Sequence, residues 1–209
     1  MPAAGTAAWR IALALAGIAA VAAFGFGRLP GEMRDFEVYW TAAARALEAG
    51  PLYRASDGHY QFKYLPGFAI LIAPAGLLPL DAARRGWFVI SAALLVALVA
   101  LSLRALPARR RPPWLLALVA VVAMGKFYGH ELVLGQVNIL FGVLVTLALV
   151  LLKRDREVTA AGLLVLAVAV KPYAVVFLPW VAWVRGRTAL LTAAAGMAAL
   201  LALPAALYG

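Results

Sequence analysis

The sequence has no cysteine, and only 13 % of its 209 residues are charged. Without cysteine, the chain can form no disulfide, hold no thiolate-bound metal and use no thiol nucleophile. The shortage of charge is equally informative, because soluble domains carry about 25 % charged residues. With 66 % of its residues hydrophobic, the chain cannot be an ordinary water-soluble domain, and we expect an all-α membrane protein.

Acidic residues are scarce as well, with 9 Asp and Glu against 19 Lys and Arg, which leaves a net charge of +10. A nucleic-acid-binding protein gathers its basic groups on one polar surface, whereas here they form short clusters between apolar runs. We therefore expect no nucleic-acid partner. Membrane lipids and membrane topology account for the charge better.

Apolar runs recur at lengths near the about 20 residues that a helix needs to cross the hydrocarbon layer. They predict one membrane domain over residues 1–209, a polytopic helical bundle of about seven transmembrane helices. The clear runs cover residues 11–27, 87–103, 137–152 and 188–208, and shorter runs cover residues 66–80, 114–125, 158–170 and 173–184. Since Pro74 interrupts the run at 66–80, we expect that segment to be re-entrant or interfacial.

Three short basic clusters, at residues 104–111, 153–156 and 185–187, predict the orientation of the bundle. Lys and Arg accumulate in cytoplasmic loops, so all three clusters are expected to face the cytoplasm. The loop at 28–65 and the unusual polar residues then lie on the outer side. The prediction is a multi-pass membrane protein whose unusual polar residues face outward.

Residues 35–49 of the outer loop predict an amphipathic helix that lies flat in the membrane interface. Gly50, followed by Pro51, is expected to end it in the left-handed C′ position. Asp35, at the first turn, is either an N-cap or a general base, and both interpretations stay open. The predicted apolar face holds Phe36, Tyr39, Trp40, Ala43 and Leu47, and the polar face holds Glu37, Thr41, Arg45 and Glu48.

Polar residues also interrupt the apolar runs. Gln136 and Asn138 open one predicted helix and are either interhelical contacts or site residues. Lys171 interrupts a stretch of 27 residues, and a charge inside a bilayer costs at least about 2.5 kcal/mol, which favours a functional role. Two short helices joined as a hairpin would hold Lys171 at the floor of an outward-open cavity. One long tilted helix is the competing interpretation.

Lys126 and His130 are predicted to lie on a short outer connection after the run at 114–125. His130-Glu131 is no zinc motif, because Leu134 stands where the second His would be. The sequence also has no Gly-rich phosphate loop and no Ser-His-Asp set. We expect neither a metal nor a cofactor.

Taken in order, these residues resemble the glycosyltransferase 87 family. Its members are polytopic C-type glycosyltransferases that include polyprenol-phosphate-mannose-dependent α-1,2-mannosyltransferases. Tyr64-Leu65-Pro66 departs from the Tyr-Pro-Pro that is frequent in the family. The resemblance rests on Asp35-x-x-x-Tyr39, Gly50-x-Leu52-Tyr53, Phe62-x-Tyr64-x-Pro66, Pro74 with Leu78-Pro79, Trp87, Gly135-Gln136-x-Asn138, and Lys171-Pro172 followed by Arg185.

The resemblance implies a polyprenyl-phosphate sugar donor, typically of mannose, and a glycolipid or glycan acceptor, with the active side on the outer face of the plasma membrane. It also implies that Asp35 is the general base of an inverting transfer. The leaving phosphate needs positive charge as its bond breaks. Lys171 is the first candidate for that charge, with Lys63, Lys126 and His130 behind it, and Arg84 and Arg85 are candidates for holding the lipid phosphate. The expected substrate-binding residues are Tyr39, Tyr53, Tyr64, His130, Gln136 and Asn138.

The resemblance covers the N-terminal half of family members, which implies that a second chain or further sequence completes the site. The alternative is a non-enzymatic membrane protein, either a transporter subunit or an inactive assembly partner. An amphipathic outer helix that begins with a carboxylate favours the glycosyltransferase. A transporter would place its binding groups on broken helices near the middle of the membrane.

Overall fold

The computed structural model describes residues 32–106 and 110–208, together with residues 17, 19, 20, 22, 23, 25 and 27. The predicted helix at residues 11–27 therefore lies outside the continuously described part of the chain. Every element given bounds in the described part is helical, which confirms the all-α class. The α-helices are α1 (Arg34–Leu47), α2 (Pro66–Ile72), α3 (Leu80–Ala105), α4 (Pro113–Leu134), α5 (Asn138–Leu152), α6 (Glu157–Val170), α7 (Phe177–Arg185) and α8 (Arg187–Tyr208), and short 3-10 helices cover Ala55–Tyr60, Ala73–Leu77 and Pro172–Val176.

Three of the described helices, α3, α4 and α8, are long and apolar enough to cross a membrane. Helices α5, α6 and α7 have 15, 14 and 9 residues, fewer than the about 17 that a typical span needs. The predicted count of about seven transmembrane helices is therefore not supported within the described residues. The segment with Pro74 divides into α2 and a 3-10 helix and is too short to span.

Helix α4 continues beyond the predicted run at 114–125 and carries Lys126, His130 and Glu131 on its last turns. The prediction that these residues form a connection is wrong. Glycines at 125 and 129 are tolerated inside a helix at a cost of about 1 kcal/mol each, so no residue there forces an end. The helix ends at Gly135, whose φ of 69° is left-handed.

Helices α6 and α7 form an antiparallel hairpin. Lys171 has an extended backbone (φ −141°, ψ 105°) that breaks the helix, and Arg185 returns to Asp155, with 2.6 Å between Nη1 and Oδ1. This confirms the hairpin of two short segments and excludes the long tilted helix. Because Lys153 donates to the carbonyl of Ala105, the three basic clusters approach one another at the end of the bundle opposite Lys171.

The amphipathic helix α1 is confirmed, but protein covers its aromatic face. Phe36 stacks on Trp87 of α3 with ring centroids 5.5 Å apart, and Tyr39 packs edge-on against Phe68 of α2 at 5.5 Å. Gly76 fits closely against α1, since a Cβ there would lie 2.7 Å from the Ala44 nitrogen. Aromatic residues of α2 and α3 thus cover this face, and the position of the helix flat in the membrane interface stays a prediction. Leu47, expected on the same face, is exposed.

The end of α1 differs from the prediction by one residue. Ala49, not Gly50, adopts the left-handed conformation, with φ 49°. The Gly50 N–H donates to the Arg45 carbonyl at 2.8 Å and the Ala49 N–H to the Ala46 carbonyl at 3.3 Å. These two bonds form a Schellman motif with Ala49 at C′ and Gly50 at C″.

Candidate functional site

Asp35 is the second residue of α1 and points toward the turn between α4 and α5. The N-cap of the helix is Met33, which makes no side-chain cap bond, so the interpretation of Asp35 as the N-cap is wrong. Its Oδ2 instead accepts a hydrogen bond of 2.6 Å from Nε2 of Gln136. An amide from a distant part of the chain therefore fixes the orientation of this carboxylate.

A chain of side-chain amides leads away from Asp35 to a second carboxylate. Nδ2 of Asn138 donates to Oε1 of Gln136 at 2.9 Å and to Oε1 of Glu131 at 2.7 Å. Carboxylates at both ends accept only, so the nitrogen of each amide must point as described. Glu131 thereby orients Asn138, which orients Gln136 so that its NH₂ group reaches Asp35.

Gly135 makes this approach possible. A Cβ at this residue would lie 2.6 Å from Cβ of Phe36, and its positive φ suits glycine. Nε1 of Trp87 donates to the Gly135 carbonyl at 2.9 Å in a buried hydrogen bond. The turn thus lies against α1, with Gln136 opposite Asp35.

Two tyrosines connect α1 to Lys171. The hydroxyl oxygens of Tyr39 and Tyr64 lie 2.9 Å apart, and Nζ of Lys171 lies 3.5 Å from the Tyr64 hydroxyl and 5.1 Å from the centre of its ring. Burial, reinforced by the neighbouring Tyr64, raises the pKa of Tyr39 above its ordinary value. Tyr39 therefore stays a neutral hydrogen-bonding group.

A pocket of about 170 Å³ opens beside Asp35, between α1 and the segment that leads into α2. Tyr39, Lys63 and Tyr64 line it together with Asp35. Tyr53 supports the segment from outside, since its hydroxyl donates to the Tyr64 carbonyl at 2.7 Å. The pocket places one carboxylate, one lysine, one histidine and three phenols around a single small cavity.

Other predicted residues lie apart from this pocket. Arg84 pairs with Glu37 at 2.9 Å and with Asp81 at 3.3 Å, and Arg85 is exposed on α3. Lys126 and His130 are exposed on α4, and neither lines the pocket of Asp35. The expected phosphate contacts of the two arginines stay a prediction.

Sequence reasoning did not assign Glu131 to the site. Its Oε1 accepts from Asn138, while its Oε2 is buried and has no hydrogen-bond partner. A carboxylate four residues before the end of an apolar helix is expensive unless polar groups surround it, and that was the signal available. No group of three His, Asp or Glu side chains suited to a metal occurs in the described residues.

Comparison with known proteins gives one match. The model of glycosyltransferase family 87 matches residues 62–209, which include Tyr64, Gln136, Asn138 and Lys171, whereas Asp35 and Tyr39 precede the matched region. No curated protein and no solved structure matches significantly. Since the family model covers well over half of a helical chain with three membrane-spanning candidates, the chain belongs to glycosyltransferase family 87.

Proposed function

We propose that the chain transfers a hexose, with mannose as the first candidate, from a polyprenyl-phosphate donor to a glycan or glycolipid acceptor. Asp35 carries this proposal, because Gln136 holds one of its oxygens at 2.6 Å while the residue lines a polar pocket. The family resemblance supports the donor class. Mannose is the first candidate for the sugar because the family includes members that use mannose donors.

In the proposed step, an acceptor hydroxyl attacks the anomeric carbon from the face opposite the phosphate. The hydroxyl proton passes to the free oxygen of Asp35 as the new C–O bond forms. The bond from the anomeric carbon to the phosphate oxygen breaks, and polyprenyl phosphate leaves with that electron pair. The anomeric configuration is inverted. One carboxylate suffices, because a phosphate needs little protonation to leave.

Lys171 and Lys63 are proposed to stabilise the phosphate. Lys63 is exposed and lines the pocket of Asp35, and Lys171 approaches the same pocket through Tyr64. Fixed positive charge in a partly desolvated site favours the charge that develops on the leaving group. Tyr39 and Tyr64 complete the wall between the base and Lys171.

The direct test is sugar transfer by the full chain, with polyprenyl phosphate mannose as donor, in wild type and Asp35→Asn. Loss of a general base is expected to lower the rate by about 10²–10⁴-fold, because Asn cannot take the proton. Glu48→Gln, an exposed carboxylate at the other end of α1, is the control and keeps the wild-type rate. Transfer by Asp35→Asn at the wild-type rate would exclude the proposed base.

We further propose that the chain lies in the plasma membrane with the pocket of Asp35 facing outward. Because the chain has no cysteine, single cysteines can report the orientation. Ser56→Cys, in the exposed 3-10 helix, should react with an impermeant maleimide added to intact cells. Arg154→Cys, between α5 and α6, should react after permeabilisation. The reverse pattern would invert the topology.

A further inference from the structure

A second cavity, of about 470 Å³, lies on the other side of α1 from the turn that holds Asp35. We name it the α1 cavity. Its volume is within the about 300–1,000 Å³ of small-molecule sites, and the proposed transfer step assigns it no role. The residues that matter for its chemistry are Arg34, Glu37, Thr41, Arg45, Asp57 and Tyr60.

The charges around the α1 cavity balance. Nη1 and Nη2 of Arg45 bind the two carboxylate oxygens of Asp57 at 2.6 and 2.8 Å, and Arg34 and Glu37 add one charge of each sign. Arg84, behind the wall, pairs with both Glu37 and Asp81, so it adds no net charge to the cavity. A phosphate or sulfate would gain little from so balanced a site. The electrostatics therefore favour a neutral, polar ligand.

The same groups offer donors and acceptors to hydroxyls. Glu37 is half exposed and accepts hydrogen bonds, while the Thr41 hydroxyl both donates and accepts. Nη1 of Arg34 donates to the Tyr60 hydroxyl at 3.1 Å, which holds an exposed aromatic ring at the rim. A flat ring beside polar groups suits a pyranose, whose apolar C–H face packs on the ring while its hydroxyls bond around the edge.

The α1 cavity adjoins the pocket of Asp35. Val38 and Tyr60 line both spaces, so the two lie side by side and share a wall. Asp35 is on the pocket side of this shared wall. An acceptor presented from the α1 cavity to the proposed base would pass beside these two side chains.

We infer that the α1 cavity binds the acceptor as a neutral oligosaccharide and presents its terminal hydroxyl to Asp35. This inference rests on the proposed function for the role of acceptor, while the binding of a neutral sugar is independent of it. Thr41 and Tyr60 are the residues expected to determine acceptor affinity. The donor, by contrast, is held on the Lys63 and Lys171 side.

The test measures binding of α-1,2-mannobiose to the full chain in lipid nanodiscs by saturation-transfer difference NMR, with mannose 6-phosphate as the charged comparison. Loss of one neutral hydrogen bond in Thr41→Val is expected to weaken binding about three- to tenfold. Loss of the stacking ring in Tyr60→Ala is expected to weaken it about tenfold. The controls Thr192→Val, half-buried on α8, and Trp183→Ala, exposed on α7, leave binding unchanged.

The inference is overturned if neither variant changes the affinity for mannobiose by more than twofold, or if mannose 6-phosphate binds more tightly than mannobiose. Thr41→Val is nearly isosteric, so it stays informative if Tyr60→Ala fails to fold. In a transfer assay, both variants should raise the acceptor KM, and Thr41→Val, whose residue lines only the α1 cavity, should leave the donor KM unchanged. Weakened mannobiose binding together with full activity of Asp35→Asn would refute the proposed base and leave the sugar site standing.

Discussion

Replacing Gly135 by alanine perturbs the contact on which the geometry of the site depends. Alanine in the left-handed conformation, here at φ 69°, costs about 1–2 kcal/mol. The new Cβ would also lie 2.6 Å from Cβ of Phe36, and such overpacking typically costs about 1–3 kcal/mol. We expect Gly135→Ala to lower the free energy of unfolding by about 2–5 kcal/mol.

The effect should extend to the site. If α1 moves away from the turn to make room for the methyl group, Gln136 loses its 2.6 Å bond to Asp35. The rate of transfer should therefore fall even at temperatures where the variant is fully folded. Titration with chemical denaturant in detergent measures the first effect, and the transfer assay measures the second.

Gly125→Ala is the matched control, because it lies on the same helix with no atom within 4 Å of the added Cβ. Alanine is favoured over glycine in a helix by about 1 kcal/mol, so this variant should be at least as stable as wild type. A loss of less than about 1 kcal/mol in Gly135→Ala, or an equal loss in both variants, would refute the packing argument.

Three other outcomes are expected. Ala49→Gly should stabilise the chain by up to about 1 kcal/mol in denaturant unfolding, because glycine removes the left-handed strain at the end of α1. The hydrogen bond from Arg45 lowers the pKa of Asp57 below its ordinary value of 3.8. The stability from this pair is therefore present above pH 3.8 and is lost as the pH falls through the lowered pKa. The melting temperatures of wild type and Asp57→Asn should converge at that low pH. Gln136→Glu would place a second carboxylate beside Asp35, and the acidic limb of the pH–rate profile should move upward by at least about one unit. An unmoved profile would show that the two groups do not interact.

The helical elements of the site could be predicted from sequence because each has a local signal. The 3.6-residue pattern of apolar residues located α1, and the cost of a charge in an apolar stretch identified the break at Lys171. Asp35, Gln136, Tyr64 and Lys171 were predicted as site residues from four separate segments. The structure pairs Gln136 with Asp35 and Lys171 with Tyr64, and Asp35 and Tyr64 line the same pocket.

Other features depend on contacts between distant segments and have no local signal. Nothing in residues 34–47 indicates that Phe68 and Trp87 pack against the aromatic face of α1. The sequence predicts that helix α4 ends near residue 125, because polar residues follow there. The backbone nevertheless continues as a helix to Leu134. Glu131 differs, because the cost of its carboxylate in an apolar helix is a local signal, and only its contact with Asn138, beyond a turn, needs the structure.

The most direct measurement of the central proposal compares two nucleophiles in Asp35→Ala. An acceptor hydroxyl must lose a proton as it attacks, whereas azide carries none, so azide can displace polyprenyl phosphate from the anomeric carbon without a base. We predict that Asp35→Ala with polyprenyl phosphate mannose and azide forms the inverted mannosyl azide, while transfer to the acceptor falls by about 10²–10⁴-fold. Acceptor transfer at the wild-type rate, or no mannosyl azide from the folded variant, would contradict the account.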